Sequence, residues 1–321
     1  MKKTLLALAV SLASVSSASA ATIYENAGLT YTVNGDIQVQ LRQKAGIDRD
    51  SDIEFDDLEL KNYVTYELDD ATTAFGRIDF GFKDLANEDD GKAELEEAYL
   101  GLKYNNIAVS FGKRPTASDE FGVEKAIEMD GADEDRFDAV GGTSGDDVIH
   151  AEFDLDTVTL LASYEMAAKG SDINSKDHHF DLFATTELNG LELSAAFQQY
   201  TRTGGNESID TYGISAAYDF GMFELAADYS SSDDDIETSN LNASQYNLAA
   251  SFAANSDTTV AFGVTDTSFD SNVNEEDFME YYANMTYKFP AQPNVSVFAE
   301  VKNTDLDDSD MGYLAGMRVK F

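Results

Sequence analysis

The chain contains no cysteine and no tryptophan, and only three prolines and three histidines in 321 residues. Without cysteine it has no disulfide framework, thiol nucleophile or cysteine-ligated zinc. Scarce proline leaves nearly every backbone N–H able to join a hydrogen-bonded ladder. Basic residues are also few: 21 Lys and Arg stand against 61 Asp and Glu, for a formal charge of −40. Such a surface repels nucleic acid, so no nucleic-acid partner is expected. No stretch supplies the ~20 consecutive apolar residues that a membrane-spanning helix needs. Nothing in the composition asks for a cofactor or a defined metal site.

High charge alone could signal disorder. Here, however, 16 Tyr and 20 Phe recur among Val, Leu and Ala at regular intervals, which disordered chains lack. The first residues follow another pattern. Lys2 and Lys3 precede a short apolar run from Leu5 to about Leu12, and Ala18-Ser19-Ala20 closes it. That order matches a secretory signal peptide over 1–20, leaving 21–321 as one domain.

Period-two alternation of apolar and polar residues marks sixteen segments: 32–43, 55–68, 73–83, 95–104, 107–114, 147–155, 157–166, 177–188, 191–202, 209–220, 222–231, 244–254, 257–268, 278–289, 294–303 and 311–321. Their connections alternate between short and long. The short ones, such as Asn105-Asn106, Asp156, Asn189-Gly190 and Gly221, carry turn residues. The longest of the others spans 115–146. A soluble β-sandwich also alternates, but its strands are usually nearer 5–6 residues. Segments of about ten residues instead match a tilted crossing of the hydrocarbon layer. The pattern therefore predicts an all-β fold: a transmembrane antiparallel β-barrel of sixteen strands. Parity sets its orientation. Tyr313, Ala315, Met317, Val319 and Phe321 share one face of the last segment, while Arg318 and Lys320 share the other. A charge facing lipid costs about 2–4 kcal/mol at mid-bilayer, so the polar parity lines the interior. Tyr104, Tyr164, Phe220, Phe289 and Phe321 fall where interfacial aromatic girdles belong.

A barrel this wide cannot be filled by side chains and holds water. The 115–146 segment is too short for a plug domain and suits a constriction loop folded inward. It carries Asp119, Glu120, Glu124, Glu128 and Asp130, with Asp133, Glu134, Asp135 and Asp138, against Lys125 and Arg136. In a narrow channel these carboxylates lie within a Debye length, ~8–10 Å, of a passing ion and favour cations. By parity Arg42, Lys61, Arg77, Lys83 and Lys103 point into the lumen from the first four strands, beside Asp36, Glu59, Glu67, Asp79 and Glu97. Later strands contribute mainly acids, among them Asp181, Asp228, Glu280 and Glu300. A partly basic wall facing an acidic loop would set a field across the pore.

Short motifs strengthen this reading. Ala98-Tyr99-Leu100-Gly101-Leu102-Lys103-Tyr104, Phe111-Gly112-Lys113-Arg114, Glu120-Phe121-Gly122, Asp135-Arg136 and the terminal strand ending in Phe321 occur in order. Together they resemble the Gram-negative general (non-specific) porins, closest to the OmpU/OmpT-like branch, over the whole chain after the signal. The resemblance implies passive diffusion of small hydrophilic solutes, a homotrimer, an outer-membrane location among lipid and lipopolysaccharide, and delivery to the barrel assembly machinery through Phe321. It places Glu120 as the constriction glutamate and Arg136 as a wall arginine. It also exposes departures: Asp36, Asp57 and Glu96 stand where well-known members are basic, which implies a stronger cation preference. Simple alternation turns Glu96 outward, so a bulge or the water-exposed rim is needed there.

Three rivals remain. A substrate-specific channel would need a ladder of luminal aromatics, whereas Tyr63, Phe75, Tyr99, Phe183 and Phe298 are scattered. A barrel enzyme would draw on His150, His178 or His179, none of which has a nucleophile motif beside it. Asp48, Asp50 and Asp52 give D-x-D-x-D, but without the glycine and glutamate of a calcium-binding loop.

Overall fold

The computed structural model describes residues 20–46, 49–87, 91–127, 135–167, 177–202, 207–306 and 309–321. Seventeen strands follow in order: β1 (Ala21–Asn26), β2 (Leu29–Gln43), β3 (Asp52–Glu67), β4 (Thr72–Gly81), β5 (Glu94–Tyr104), β6 (Ile107–Pro115), β7 (Ser144–Asp154), β8 (Val158–Glu165), β9 (His178–Leu188), β10 (Leu191–Thr201), β11 (Ser208–Asp219), β12 (Phe223–Asp234), β13 (Ala243–Asn255), β14 (Thr258–Phe269), β15 (Phe278–Phe289), β16 (Gln292–Thr304) and β17 (Gly312–Lys320). Two short helices, α1 (Lys83–Asn87) and α2 (Arg136–Val140), lie in long connections.

From β2 to β17 each strand pairs antiparallel with the next, and β17 pairs back onto β2. Sixteen strands thus form a closed barrel, as a sheet crossing hydrocarbon requires. The seventeenth is the N-terminal β1, which alternation had not revealed. It pairs with the first half of β2 (Ala21 opposite Val33), while β17 covers the second half (Lys320 opposite Asp36). Between the two, Gly35 and Phe321 exchange both N–H···O bonds at 2.9 Å. β1 therefore continues the row that β17 begins. The β1–β2 turn hid itself because Ala27-Gly28 takes the left-handed conformation (φ 51° and 82°) without the usual Asn or Asp. The expected turns at Asn105, Asp156, Asn189-Gly190 and Gly221 all show positive φ.

The interior is polar. In β2, Asn34, Asp36, Gln38, Gln40 and Arg42 are buried, whereas Ile37 and Leu41 are exposed on the outer face. The five girdle aromatics named above are all exposed. On the rim with short turns Phe220 stacks on Phe223 and meets Tyr218 edge-on, with ring centroids at 4.4 and 4.5 Å.

Bulges break the parity at two informative places. The β2–β3 register shifts between Ile37 and Val39, so Asp56 and Asp57 both reach inward. Asp56 accepts from Gln38 (3.0 Å) and Asp57 pairs with Arg318 (2.6 Å). The β4–β5 register shifts between Asp79 and Phe80, leaving Glu96 as the extra residue. Its side chain reaches Glu59 and Lys61 in the lumen, so Glu96 resolves as the bulge that alternation required. One expected wall residue is displaced. β4 ends at Gly81, Lys83 opens α1 on the rim, and its side chain is exposed. The chain leaves the wall after the Phe82 N–H donates to the Leu58 carbonyl, and Ala86 bonding back to Phe82 starts the helical turn.

The Gly35–Phe321 seam is tightly packed. A Cβ at Gly35 would lie 2.2 Å from the Glu59 carbonyl oxygen and 3.0 Å from the Phe321 ring. Gly35→Ala is expected to destabilise the folded barrel by about 1–3 kcal/mol. A lower unfolding temperature of the compact, unheated band in gel-shift electrophoresis would register this.

Candidate pore constriction

A backbone segment crossing the inside of a barrel must find partners for its N–H groups. Here the wall supplies them. After β6 the Thr116 N–H donates to the Thr143 carbonyl, so the two ends of the connection leave the wall side by side (2.8 Å). A 3-10 turn, Ala117–Glu120, carries the chain inward. The Ala117 N–H donates to Ser163 Oγ (2.8 Å), and Ser118 Oγ donates to Asp181 Oδ1 (2.7 Å). Phe121 then enters an apolar cluster with Ala117, Phe137, Leu161, Phe183 and Ala196. Its ring lies directly over Gly213, where a Cβ would come within 2.5 Å of it. Beyond it the Val123 N–H donates to Asp228 Oδ2 (3.1 Å), the Lys125 N–H to Tyr282 Oη (2.6 Å) and the Ile127 N–H to Glu300 Oε2 (2.6 Å). The Ile127 side chain rests on Phe298 and Leu314. The segment thus runs inside the barrel from β6 to β16, the inward fold expected of a constriction loop.

The return limb is anchored as firmly. Asp135 caps α2 by accepting from the Phe137 N–H (2.7 Å), and burial pushes its carboxyl well above the ordinary aspartate range. The Arg136 N–H donates to Ser230 Oγ (3.0 Å), its Nε to Ser232 Oγ (3.0 Å) and its Nη2 to the Leu241 carbonyl (3.2 Å). Expected as a wall arginine facing the pore, Arg136 is instead 5 % exposed and ties the loop helix to β12 and the segment after it.

Between the loop and the wall formed by β17 and β2–β8 lies a cleft of about 270 Å³. Asp119 and Glu120 line it from the loop. From the wall come Asp36, Lys61, Arg77, Glu97, Arg114 and Lys320, with Tyr63, Tyr99 and His150. Most wall cations are matched by acids beside them. Arg77 pairs with Asp79 and with Glu97 (2.9 Å) and lies over the Tyr63 ring (4.9 Å). Lys61 pairs with Glu59, and Arg42 with Glu54 (3.0 Å). Arg114 lies over Tyr99 (4.6 Å) and donates to Ser110 Oγ (2.5 Å) and the Pro115 carbonyl (3.2 Å). Glu120 opens onto luminal water, yet protein surrounds it on most sides. That desolvation lifts its carboxyl above the ordinary glutamate range; Arg114 opposes the rise and Glu152 adds to it.

Of the residues expected at the constriction, the structure gathers Asp119, Glu120, Asp36, Lys61 and Arg77 around this cleft. Glu124 lies half-buried along the loop, while Glu128 and Asp130 fall outside the described residues. Asp57 is drawn to Arg318, and Arg42 to Glu54. Lys103 is half-buried near the short-turn end of β5, away from the cleft. Arg114 and Lys320 were missed as cleft residues, although parity with Ser110 and with Arg318 places both inside. Phe183 and Phe298 do not form a luminal ladder, because the loop covers both. Among the described residues, Asp181 accepts from Ser118 and Ser163 and also holds His179 Nδ1 at 2.8 Å.

The Gram-negative porin family model matches residues 5–309. The chain belongs to the Gram-negative porin family. This porin is 28 % identical to porin-like protein H of Photobacterium profundum over the full length of both chains. It is 27 % identical to the monosaccharide porin of a Halomonas species, across 73 % of this chain and 60 % of that one. Among solved structures, the trimer form of OmpT of Vibrio cholerae superposes with a TM-score of 0.77 at 17 % identity, covering 92 % of this chain and all of that one. The anion-selective porin of Comamonas acidovorans gives 0.72 at 13 % identity, covering 91 % of this chain and all of that one. Family and barrel together make the porin an outer-membrane diffusion channel rather than an enzyme.

If wall carboxylates hold the loop, Asp228→Ala and Glu300→Ala should each remove about 1.5–3 kcal/mol of local anchoring. Faster tryptic cleavage after Lys125 in the otherwise folded barrel is the expected readout. An unchanged cleavage rate in both variants would show that the apolar cluster alone secures the loop.

Proposed function

We propose that this porin forms a water-filled, cation-preferring channel for passive passage of ions and small hydrophilic solutes. It works as a homotrimer, exported through a signal peptide spanning 1–20. The observation that carries the ion preference is the pairing pattern at the cleft. The wall's arginines and lysines are largely matched by adjacent acids, whereas the Glu120 side chain makes no hydrogen bond or close ion pair among the described residues and feels Arg114 only at longer range. A carboxylate left to the lumen at the narrowest point favours cations. Asp36, Lys61, Arg77 and Arg114 then shape the opposite wall, and Asp119 adds to the acidic side. The trimer form of the OmpT neighbour supports self-association. So does an apolar groove of about 560 Å³ on the outer wall, lined by Val64, Gly76, Ile78, Ala98, Leu100 and Phe111 among others. The terminal Phe321, seated at the seam, is the proposed signal for the barrel assembly machinery, and lipid and lipopolysaccharide are the surrounding partners.

A sugar-specific channel has one observation in its favour, the monosaccharide porin among its relatives. Against it, Phe183 and Phe298 are covered by the loop, and among the described residues Tyr63 and Tyr99 are the phenolic rings at the cleft. Saturable block of the current by a single sugar would favour that alternative.

Reversal potentials across a salt gradient in planar bilayers test the main reading. The wild type is expected to prefer cations, and Glu120→Gln to lower the cation-to-anion permeability ratio by a factor of about two to five. That factor matches roughly 0.5–1 kcal/mol for one unit charge at ~4–8 Å in water. Zero or anion-side selectivity in the wild type would reject the proposal. The pH dependence follows from the raised Glu120 carboxyl. Because it holds its proton to a higher pH than an ordinary glutamate, cation preference should start to fall, on acidification, above the ordinary glutamate range. In Glu120→Gln that early component should be missing from the titration.

A further inference from the structure

We propose that Asp36, Asp57 and Glu59 form a binding site for a hard divalent cation, Ca²⁺ foremost, on the pore wall beside the constriction. Asp36 on β2 lies directly opposite Glu59 on β3, and the β3 bulge turns Asp57 onto the same luminal face. One carboxylate oxygen from each residue lies within 4.8 Å of the other two. Oxygens that share one Ca²⁺ sit 2.3–2.6 Å from it, hence no more than about 5 Å apart, and oxygen-only donors suit Ca²⁺ rather than a softer metal.

A second observation points to a missing ligand. Asp36 is only 8 % exposed, and its Oδ1 has no hydrogen-bond partner among the described residues. Two residues earlier on the same face, Asn34 is 6 % exposed and its Oδ1 also lacks a partner. Buried oxygens are ordinarily satisfied, because leaving one bare costs on the order of 1–3 kcal/mol, more when it is charged. Neighbouring cations do not remove the need. Arg318 Nη2 is engaged with Asp57 Oδ2, and Lys61 Nζ with Glu59 Oε2, while Glu59 also shares a hydrogen bond with the Glu96 carboxyl; none of these contacts reaches Asp36 Oδ1. Asp56 and Glu96 stand beside the group and add negative charge. Five carboxylates thus face Lys61, Arg318 and Lys320, with Lys83 reaching Glu96 only from the rim. The group keeps an excess of negative charge that a divalent cation would offset.

Calorimetric titration of the refolded, lipopolysaccharide-free porin with CaCl₂ in detergent tests the site. The wild type is expected to show one saturable site per chain above weak binding by the outer loops. Asp36→Asn and Glu59→Gln should each weaken that site at least tenfold, while Asp233→Asn, exposed near the loop end of β12, leaves it unchanged. A wild type without a stoichiometric site, or an Asp36→Asn protein that binds as the wild type does, would overturn the proposal. Should the variants fail to fold, anomalous density from Tb³⁺ soaked into crystals of the wild type decides the matter. Density within the Asp36–Asp57–Glu59 triangle supports the site, and density at the outer loops alone refutes it. Binding is read without any current, so loss of the Ca²⁺ site leaves the channel reading standing. Ca²⁺ binding by a non-conducting barrel would conversely defeat only the channel.

Discussion

Everything in this molecule follows from having to satisfy the backbone inside lipid. A strand in hydrocarbon has no water to bond, so its N–H and C=O groups must all pair with neighbouring strands, and only a closed ring achieves this. The ring from β2 to β17 meets that demand, and Gly35 and Phe321 close it with a reciprocal pair of bonds. Closure then inverts the usual distribution of side chains. Apolar residues such as Leu41 and Met317 face outward, while Gln38, Gln40, Asp181 and Glu300 are buried on the inside. The same sheet that removes backbone polarity from lipid thus creates a polar bore.

That bore imposes a second demand. The constriction loop enters it as irregular backbone and needs acceptors of its own. The later strands provide carboxylates and hydroxyls at matching heights: Ser163, Asp228, Tyr282 and Glu300 each accept from a successive part of the loop. Acids that alternation marks merely as pore charge therefore divide into two kinds. Those on β9–β16 include structural acceptors whose charge is spent on the loop. Those on β2–β5 pair with Arg42, Lys61 and Arg77 or stand beside the cleft. Summing luminal charges overestimates what an ion meets, because pairing decides how much charge is left over.

The sequence made the barrel legible because period-two alternation and turn chemistry are local signals. Alternation located all sixteen ring strands, and Asn105, Asp156, Asn189 and Gly221 marked turns through their tolerance of positive φ. It failed where the signal is not local. β1 hides behind an Ala27-Gly28 turn that has no Asn or Asp, and Lys83 kept the right parity after the strand had already ended. Asp56 and Asp57 cannot both face inward by alternation; only the bulge, a relation between two strands, allows it. Arg136 sat in a motif that resembled a pore wall, but its guanidinium is committed to Ser232 and Leu241, far along the chain. Parity alone contained Arg114 and Lys320, and what was lacking was the knowledge that the loop crosses in front of them.

Bulges consequently carry more function here than strands do. A regular ladder presents one inward residue per pair of positions, which spaces charges evenly along the wall. An extra residue in β3 and another in β5 crowd Asp56, Asp57, Glu59 and Glu96 into one region beside the constriction. Local crowding of like charge is unfavourable unless cations enter it, and here Arg318, Lys61 and Lys320 do so from adjacent strands. The barrel scaffold tolerates this because backbone pairing, not side-chain packing, supplies most of its cohesion in lipid. Charge on the β2–β5 side of the bore is thereby less bound to the requirements of folding than the acids, such as Asp228 and Glu300, that hold the loop.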